Sequence, residues 1–215
     1  DQTFRKNPAQ FEQLRGDFVL ALWDGSTQTC HIATDRFRVH SLVYTYDHEK
    51  LVFASKMQAL LGCPLPIRRS IDPETIVSLV GESVIATPKT IFREVHKLPP
   101  GHVLSYCGRN ITLSQYWDLS FLHPLQEGES QLASQLRTRL DEAISVRMEN
   151  DNEIGELGTF LSGGIDSSTV TGLMTKLRGR PISSFSVGFE EESFNEIRYA
   201  RIVAKTFQAK HVELF

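Results

Sequence analysis

The chain has 215 residues, 40% of them apolar and 23% charged, with a net charge of −3 at neutral pH. That length and apolar fraction allow one or two cored domains, and the mild acidic balance argues against a nucleic-acid surface. No apolar run approaches the ~20 residues of a membrane span, Phe18 to Trp23 being about the longest, and the polar start Asp1 to Gln10 has no signal-peptide core.

Along the first half, short β runs alternate with turn residues. Phe18 to Trp23 passes through Asp24-Gly25 to Thr29–Thr34, a hairpin by its turn chemistry. Val43 to Tyr46 and Leu51 to Ala54 form a second pair around Asp47 to Lys50. Val103 to Tyr106 and Ile111 to Tyr116 form a third around Gly108 to Asn110. Asp72-Pro73-Glu74 carries a cap, a first-position proline and an early acid, the signature of a helix start. Hairpins with one or two helices predict a layered α+β unit.

The stretch from about Leu119 to Gly128, with Pro124, reads as a linker. Beyond it Leu132, Leu136, Leu140, Ile144 and Met148 recur every four residues, a helical period. A strand at 157–161, a helix at 167–178, a strand at 182–187, a helix at 195–208 and a strand at 210–214 follow, with Ser193-x-x-Glu196 fitting a capping box for the second of these helices. Such alternation predicts a parallel sheet with right-handed crossovers. Ligand then belongs beyond the carboxyl ends of the strands.

One stretch carries chemistry. Leu161-Ser162-Gly163-Gly164-Ile165-Asp166-Ser167-Ser168 reads as a strand end, a glycine turn and a hydroxyl-bearing helix start. Glycines let backbone approach a ligand closely, and free N–H groups at a helix N-terminus attract anions. Asp166 would repel a bare phosphate, which points to a divalent cation bridging carboxylate and phosphates. The hydroxyls of Ser162, Ser167 and Ser168 are candidate phosphate donors. The plain alternative is an ordinary Gly-Gly turn with a Ser/Asp cap. At average composition the five fixed positions of S-G-G-x-D-S arise by chance in roughly one such chain in several thousand. Neither the Walker signature nor G-x-G-x-x-G is present.

These residues resemble the pyrophosphate loop of the ATP pyrophosphatases, in the form L-S-G-G-I-D-S-S that is similar to asparagine synthetases. Ser184 to Phe189 resembles that family's second adenosine-contacting strand end, and Phe194-Asn195-Glu196 through Ala200 and Ala204 its following helix. Upstream, Gly16-Asp17-Phe18 to Trp23-Asp24, Phe53-Ala54-Ser55, Lys97 to His102 and Tyr116-Trp117-Asp118 are similar to the back half of its glutaminase domain. The resemblance implies a partial, layered α+β glutaminase-like domain over 1–118, a linker over 119–128, and the start of an α/β parallel-sheet ATP-pyrophosphatase domain over 129–215.

The implied activity is an ATP-dependent, amide-forming ligase that adenylates aspartate for attack by ammonia derived from glutamine. The resemblance assigns ATP to Leu161, Ser162, Gly163, Gly164, Asp166, Ser167, Ser168, Val187 and Gly188, with Asp166 also a Mg²⁺ ligand. Partners are then small molecules (aspartate, glutamine or ammonia, ATP) in the cytoplasm, with no nucleic acid and no membrane, and with room for a homodimer. The family's glutaminase uses an N-terminal cysteine. Residue 1 here is Asp, so the expectation is that these 215 residues are a fragment with no catalytic residue in the glutaminase-like part.

Arg38 stands where that family usually has Gly, His40-Ser41 where it has Lys-Pro, and Lys56 where Glu is common. These departures fit relatives that adenylate a carboxylate for an internal amine, such as β-lactam synthetases and lasso-peptide cyclases, and a non-catalytic nucleotide-binding remnant is a further alternative. Cys30, Cys63 and Cys107 are odd in number, with no C-x-x-C pair, and read as packing thiols of a reducing compartment. His31, His96, His102, His123 and His211 lack metal-ligand spacing. Glu190-Glu191-Glu192 reads as a solvated loop, and Trp117 as a core anchor.

Overall fold

The computed structural model describes residues 8–47, 49–122, 124–148 and 157–215; His123 lies outside the described residues. The chain is mixed α/β and divides into two compact units, Asp1–His123 and Pro124–Phe215. Among the described residues no helix is long and apolar enough to cross a membrane.

In the first unit the elements run β1 (Val19–Asp24), β2 (Thr29–Thr34), β3 (Val43–Tyr46), β4 (Leu51–Ala54), α1 (Met57–Leu61), α2 (Pro73–Glu82), β5 (His96–Lys97), β6 (His102–Cys107) and β7 (Asn110–Gln115). They form two antiparallel sheets, in the orders β1-β2-β6-β7 and β4-β3-β5. All three hairpins expected from turn residues are present, paired Val19 with Thr34, Val43 with Ala54 and His102 with Gln115. The Asp72 carboxylate accepts the N–H of Glu74 at 3.2 Å and caps α2 as the sequence implied. Helix α1 and the two-residue strand β5 were not legible, because neither carries a periodic signal of its own.

Side chains from both sheets meet in one cluster, with Ile32 and Leu104 from the first, Tyr44 from the second, and Leu42 and Leu98 from the connecting loops. Where β2 ends, the buried carboxylate of Asp35 accepts the backbone N–H groups of Phe37 at 3.0 Å and Val39 at 3.1 Å. The same residue's carbonyl takes the N–H of Gly101. Thr34 Oγ1 donates to the Pro99 carbonyl at 2.7 Å, and the Tyr116 hydroxyl donates to the Thr34 carbonyl at 2.6 Å. Three distant segments are thus tied at one strand end.

In the second unit the elements are α3 (Glu129–Met148), β8 (Gly158–Phe160), α4 (Ile165–Arg178), β9 (Ser183–Val187), α5 (Ile197–Thr206) and β10 (Lys210–Leu214). The strands form a parallel sheet in the order β10-β9-β8. Alternation along them is inverted from the usual polarity. Thr159, Ser184 and Ser186 point into the packed side, while Phe160 is 84% exposed and Val187 and Leu214 are more than half exposed on the other side.

The helical period expected beyond the linker is present as α3, although of its four-spaced residues only Ile144 is buried while Leu136 stays exposed. At about 100° per residue each step of four drifts about 40° around the helix, so the set fans out. One expectation fails here: the Ser193/Glu196 capping box is absent. Ser193 sits in a short 3-10 turn bonding Glu191, and Asn195 Oδ1 instead accepts the N–H of Ile197 at 3.2 Å, where α5 begins.

Tyr116 yields a test of the first unit. Burial, reinforced by the nearby Asp35 charge and opposed by Arg36, pushes its hydroxyl up to about 12. Unfolded tyrosine titrates near about 10. The native state therefore holds the proton longer, and this contribution to stability is complete below about pH 10 and lost as pH rises toward about 12. Absorbance titration of tyrosinate should show a last step near that value, and Tyr116→Phe should remove it.

Candidate functional site

The glycine loop leaves β8 and enters α4. Leu161 continues the parallel ladder, its N–H bonding the Phe185 carbonyl at 2.8 Å and its own carbonyl accepting from Ser186 Oγ. Gly163 then adopts φ +87°, a conformation that disfavours any residue with a Cβ. A Cβ built there would lie 2.5 Å from the backbone of Tyr199 and Ala200 on α5. The chain can turn here only because both its conformation and its closest neighbour accept a bare Cα.

Gly164 caps α4 with extended backbone, and the helix starts at Ile165, two residues earlier than periodicity suggested. Asp166 is therefore in the first turn rather than ahead of it. The earliest helical bond runs from Ser168 N–H to the Gly164 carbonyl at 3.0 Å. The N–H groups of Ile165, Asp166 and Ser167 precede it and have no backbone acceptor among the described residues. Asp166 is exposed.

The three serines differ. Ser162 Oγ and Ser167 Oγ lie 3.0 Å apart, and Ser162 Oγ also accepts the Gly164 N–H at 3.2 Å, so both fold into the loop. Ser168 Oγ is shut off from solvent without a partner among the described residues, so it does not open on the crevice with the other two. Behind them Thr171 Oγ1 donates to the Ser167 carbonyl and lies 3.0 Å from Thr159 Oγ1, which ties α4 to β8.

A crevice of about 290 Å³ opens at the carboxyl ends of β8 and β9, lined by Leu161, Ser162, Ser167, Val187, Phe189 and Ile197 among others. Leu161 and Val187 thus both line it. Gly188 does not line it: its N–H bonds the Leu214 carbonyl at 2.7 Å, and a Cβ there would meet Phe215 and Ile197. Its fit is to packing. What sequence reasoning missed is α5 as the back of the loop, with Ala200 fully buried beside Leu161 and Ala204. The pair of alanines four apart is the signal that could have found it.

Among the described residues no group of three or more His, Cys, Asp or Glu side chains could hold a metal by itself. Asp166 is the loop's one carboxylate, a donor set suited to a hard cation that takes its other ligands from phosphates and water. His31 hydrogen-bonds Ser105 and His211 hydrogen-bonds Ser184, and Glu190–Glu192 are all exposed. Trp117 takes Phe37 edge-on at 5.1 Å and Arg36 over its ring. In the first unit Arg38 adopts φ +52° and donates to Thr87 Oγ1 at 3.1 Å, at the position where the resemblance led us to expect glycine.

The family model for the glutamine amidotransferase domain matches residues 4–117, and that for asparagine synthase matches 135–215. The chain belongs to the asparagine synthetase family. Asparagine synthetase [glutamine-hydrolyzing] 1 of Bacillus subtilis is 28% identical over 201 residues, covering 93% of this chain and 31% of the relative. A putative asparagine synthetase [glutamine-hydrolyzing] 2 of Methanocaldococcus jannaschii is 26% identical, covering 93% and 39%. Amidase chry2 of Gibberella zeae is 35% identical over 170 residues, covering 76% and 24%. The chain thus spans about a quarter to two-fifths of the length of these relatives.

Gly163→Ala is expected to cost the second unit about 2–4 kcal/mol, since a left-handed backbone and a backbone clash combine. Gly164→Ala, whose Cβ would meet only Ser162 Oγ at 3.3 Å, should stay within about 1 kcal/mol of wild type. Urea unfolding of the two variants side by side checks the contrast.

Proposed function

We propose that the parent protein is an ATP-dependent amide-forming ligase, that aspartate is the carboxylate it activates, and that the loop Ser162–Ser168 holds the pyrophosphate portion of ATP. The observation that carries this reading is the first turn of α4, whose leading N–H groups have no backbone acceptor among the described residues and whose Ser167, with Ser162, lines the crevice at the ends of β8 and β9. Family membership supports ATP as the cosubstrate and glutamine as the source of ammonia.

In the reaction the aspartate side-chain carboxylate attacks the α-phosphorus, the α–β bridging bond breaks, and pyrophosphate leaves. Ammonia then attacks the acyl carbon, loses a proton, and expels AMP to give the amide. The N–H groups of Ile165, Asp166 and Ser167 would bind the departing phosphates, because a helix N-terminus stabilises anions. The hydroxyls of Ser162 and Ser167, already ordered by each other, would orient those oxygens. Leu161 and Val187 would shield the adenosine from water. Mg²⁺, held by Asp166 and the phosphates, would supply charge neutralisation when bound.

For glutamine use, burial pushes the Cys30 thiol above its ordinary pKa, which disfavours the nucleophilic thiolate, and Cys107 Sγ donates to the Thr27 carbonyl at 3.5 Å. The 215 residues alone should release no glutamate from glutamine.

A second reading rests on Arg38, His40 and Ser41, and on the higher identity to a relative named an amidase. In it the activated carboxylate is not aspartate.

Asp166→Ala in the full-length protein should abolish ATP–pyrophosphate exchange and leave thermal unfolding unchanged, since the side chain is exposed; undiminished exchange would remove the loop from the mechanism. Full-length protein given aspartate, ATP and ammonia should form asparagine and AMP in equal amounts. Exchange driven by some other carboxylate, with none on aspartate, would favour the second reading.

A further inference from the structure

A separate cavity of about 570 Å³ lies wholly within the first unit, bounded by the end of β3, the loop after α1, the approach to β5 and the β6–β7 turn. Lys50, Arg68, Arg93 and Arg109 line it, against the carboxylates of Asp47 and Glu94. Lys50 and Asp47 engage each other at 3.6 Å. Among the described residues no carboxylate comes within 4.0 Å of the guanidinium groups of Arg68, Arg93 or Arg109. In a chain of net charge −3 that is a local positive excess.

Two other features narrow the chemistry. The rings of Tyr46 and His96 form one wall, 6.3 Å apart between centroids and tilted 40°, with Tyr44 packed behind at 5.5 Å from His96. Burial holds the imidazole below its ordinary pKa, opposed by Glu94, so at neutral pH the wall is uncharged. Glu94, held below the usual carboxylate range chiefly by hydrogen bonding from Ser70 and further by the Arg68 charge, offsets only part of that positive lining.

Arg109 is also placed at a cost. It follows Gly108 in the two-residue β6–β7 turn with φ +78°, a position where Gly, Asn or Asp is the unstrained choice.

We propose that this cavity binds a nucleoside monophosphate, with the phosphate on the arginines and the planar ring against Tyr46 and His96. Arginine forks match phosphate oxygens, and bases stack on aromatic faces. The cavity belongs to the first unit, and the crevice lined by Ser162 and Ser167 to the second.

The test follows the His96 ring resonances of the full chain by NMR during titration with AMP, GMP and UMP, and with inorganic phosphate. At least one nucleotide should shift His96 saturably, with a dissociation constant below about 1 mM. Arg68→Ala combined with Arg109→Gly should weaken that binding by about 10-fold or more, because two charge-assisted bonds are lost. Arg109→Gly alone relieves backbone strain, so it should weaken binding while the chain stays folded. Tyr46→Ala should weaken it about 5-fold through lost stacking. The proposal is overturned if no nucleotide shifts His96, if inorganic phosphate binds as tightly as the best nucleotide, or if folded Arg109→Gly binds unchanged.

Discussion

The second unit depends on one close approach, that of the Gly163 Cα to the backbone of Tyr199 and Ala200. It fixes how far α5 stands from the exit of β8. With that spacing set, Leu161 packs on Ala200 and Ala204, and the ends of β8 and β9 open on the same crevice. No side-chain interaction in the loop has comparable reach. The Ser162–Ser167 hydroxyl pair shapes the turn locally, while the Gly163 contact joins the loop to an element more than thirty residues later.

Both units secure their strand ends with buried polar groups rather than apolar contact alone. In the first, Asp35 and Tyr116 satisfy backbone groups from loops that would otherwise diverge. In the second, Thr159, Thr171, Ser184 and Ser186 bond across the packed side of the sheet. Such bonds contribute modest net free energy each, but a buried group left unpaired is costly. They therefore penalise shifted registers more than they raise stability. A one-residue slip would strand every one of them.

Much of this was legible in the sequence where the signal is local. Turn residues located all three hairpins, and Asp72-Pro73 located the start of α2 to the residue. The glycine loop was recognisable because its residue types are unusual in combination. What escaped was set by distant partners. The strand β5 is two residues borrowed by β3, and the orientation of Ser168 Oγ depends on how α4 seats. The capping box failed because a 3-10 turn intervenes and Asn195 takes its place. The role of α5 behind Gly163 is a contact between segments, and single-sequence periodicity carries no record of it.

The uncovered side of the β10-β9-β8 sheet has a practical consequence. Phe160, Phe185, Val187, Val212 and Leu214 form an apolar surface on strands of a kind that proteins almost always cover on both faces. Handled on its own, the chain should therefore be limited by solubility before it is limited by folding. Sulfate, which strengthens the burial of apolar surface, would drive copies together through that side, and low concentrations of urea would keep them apart. A preparation that precipitates under salting-out while retaining its secondary structure would be reporting on this surface, not on a defective core.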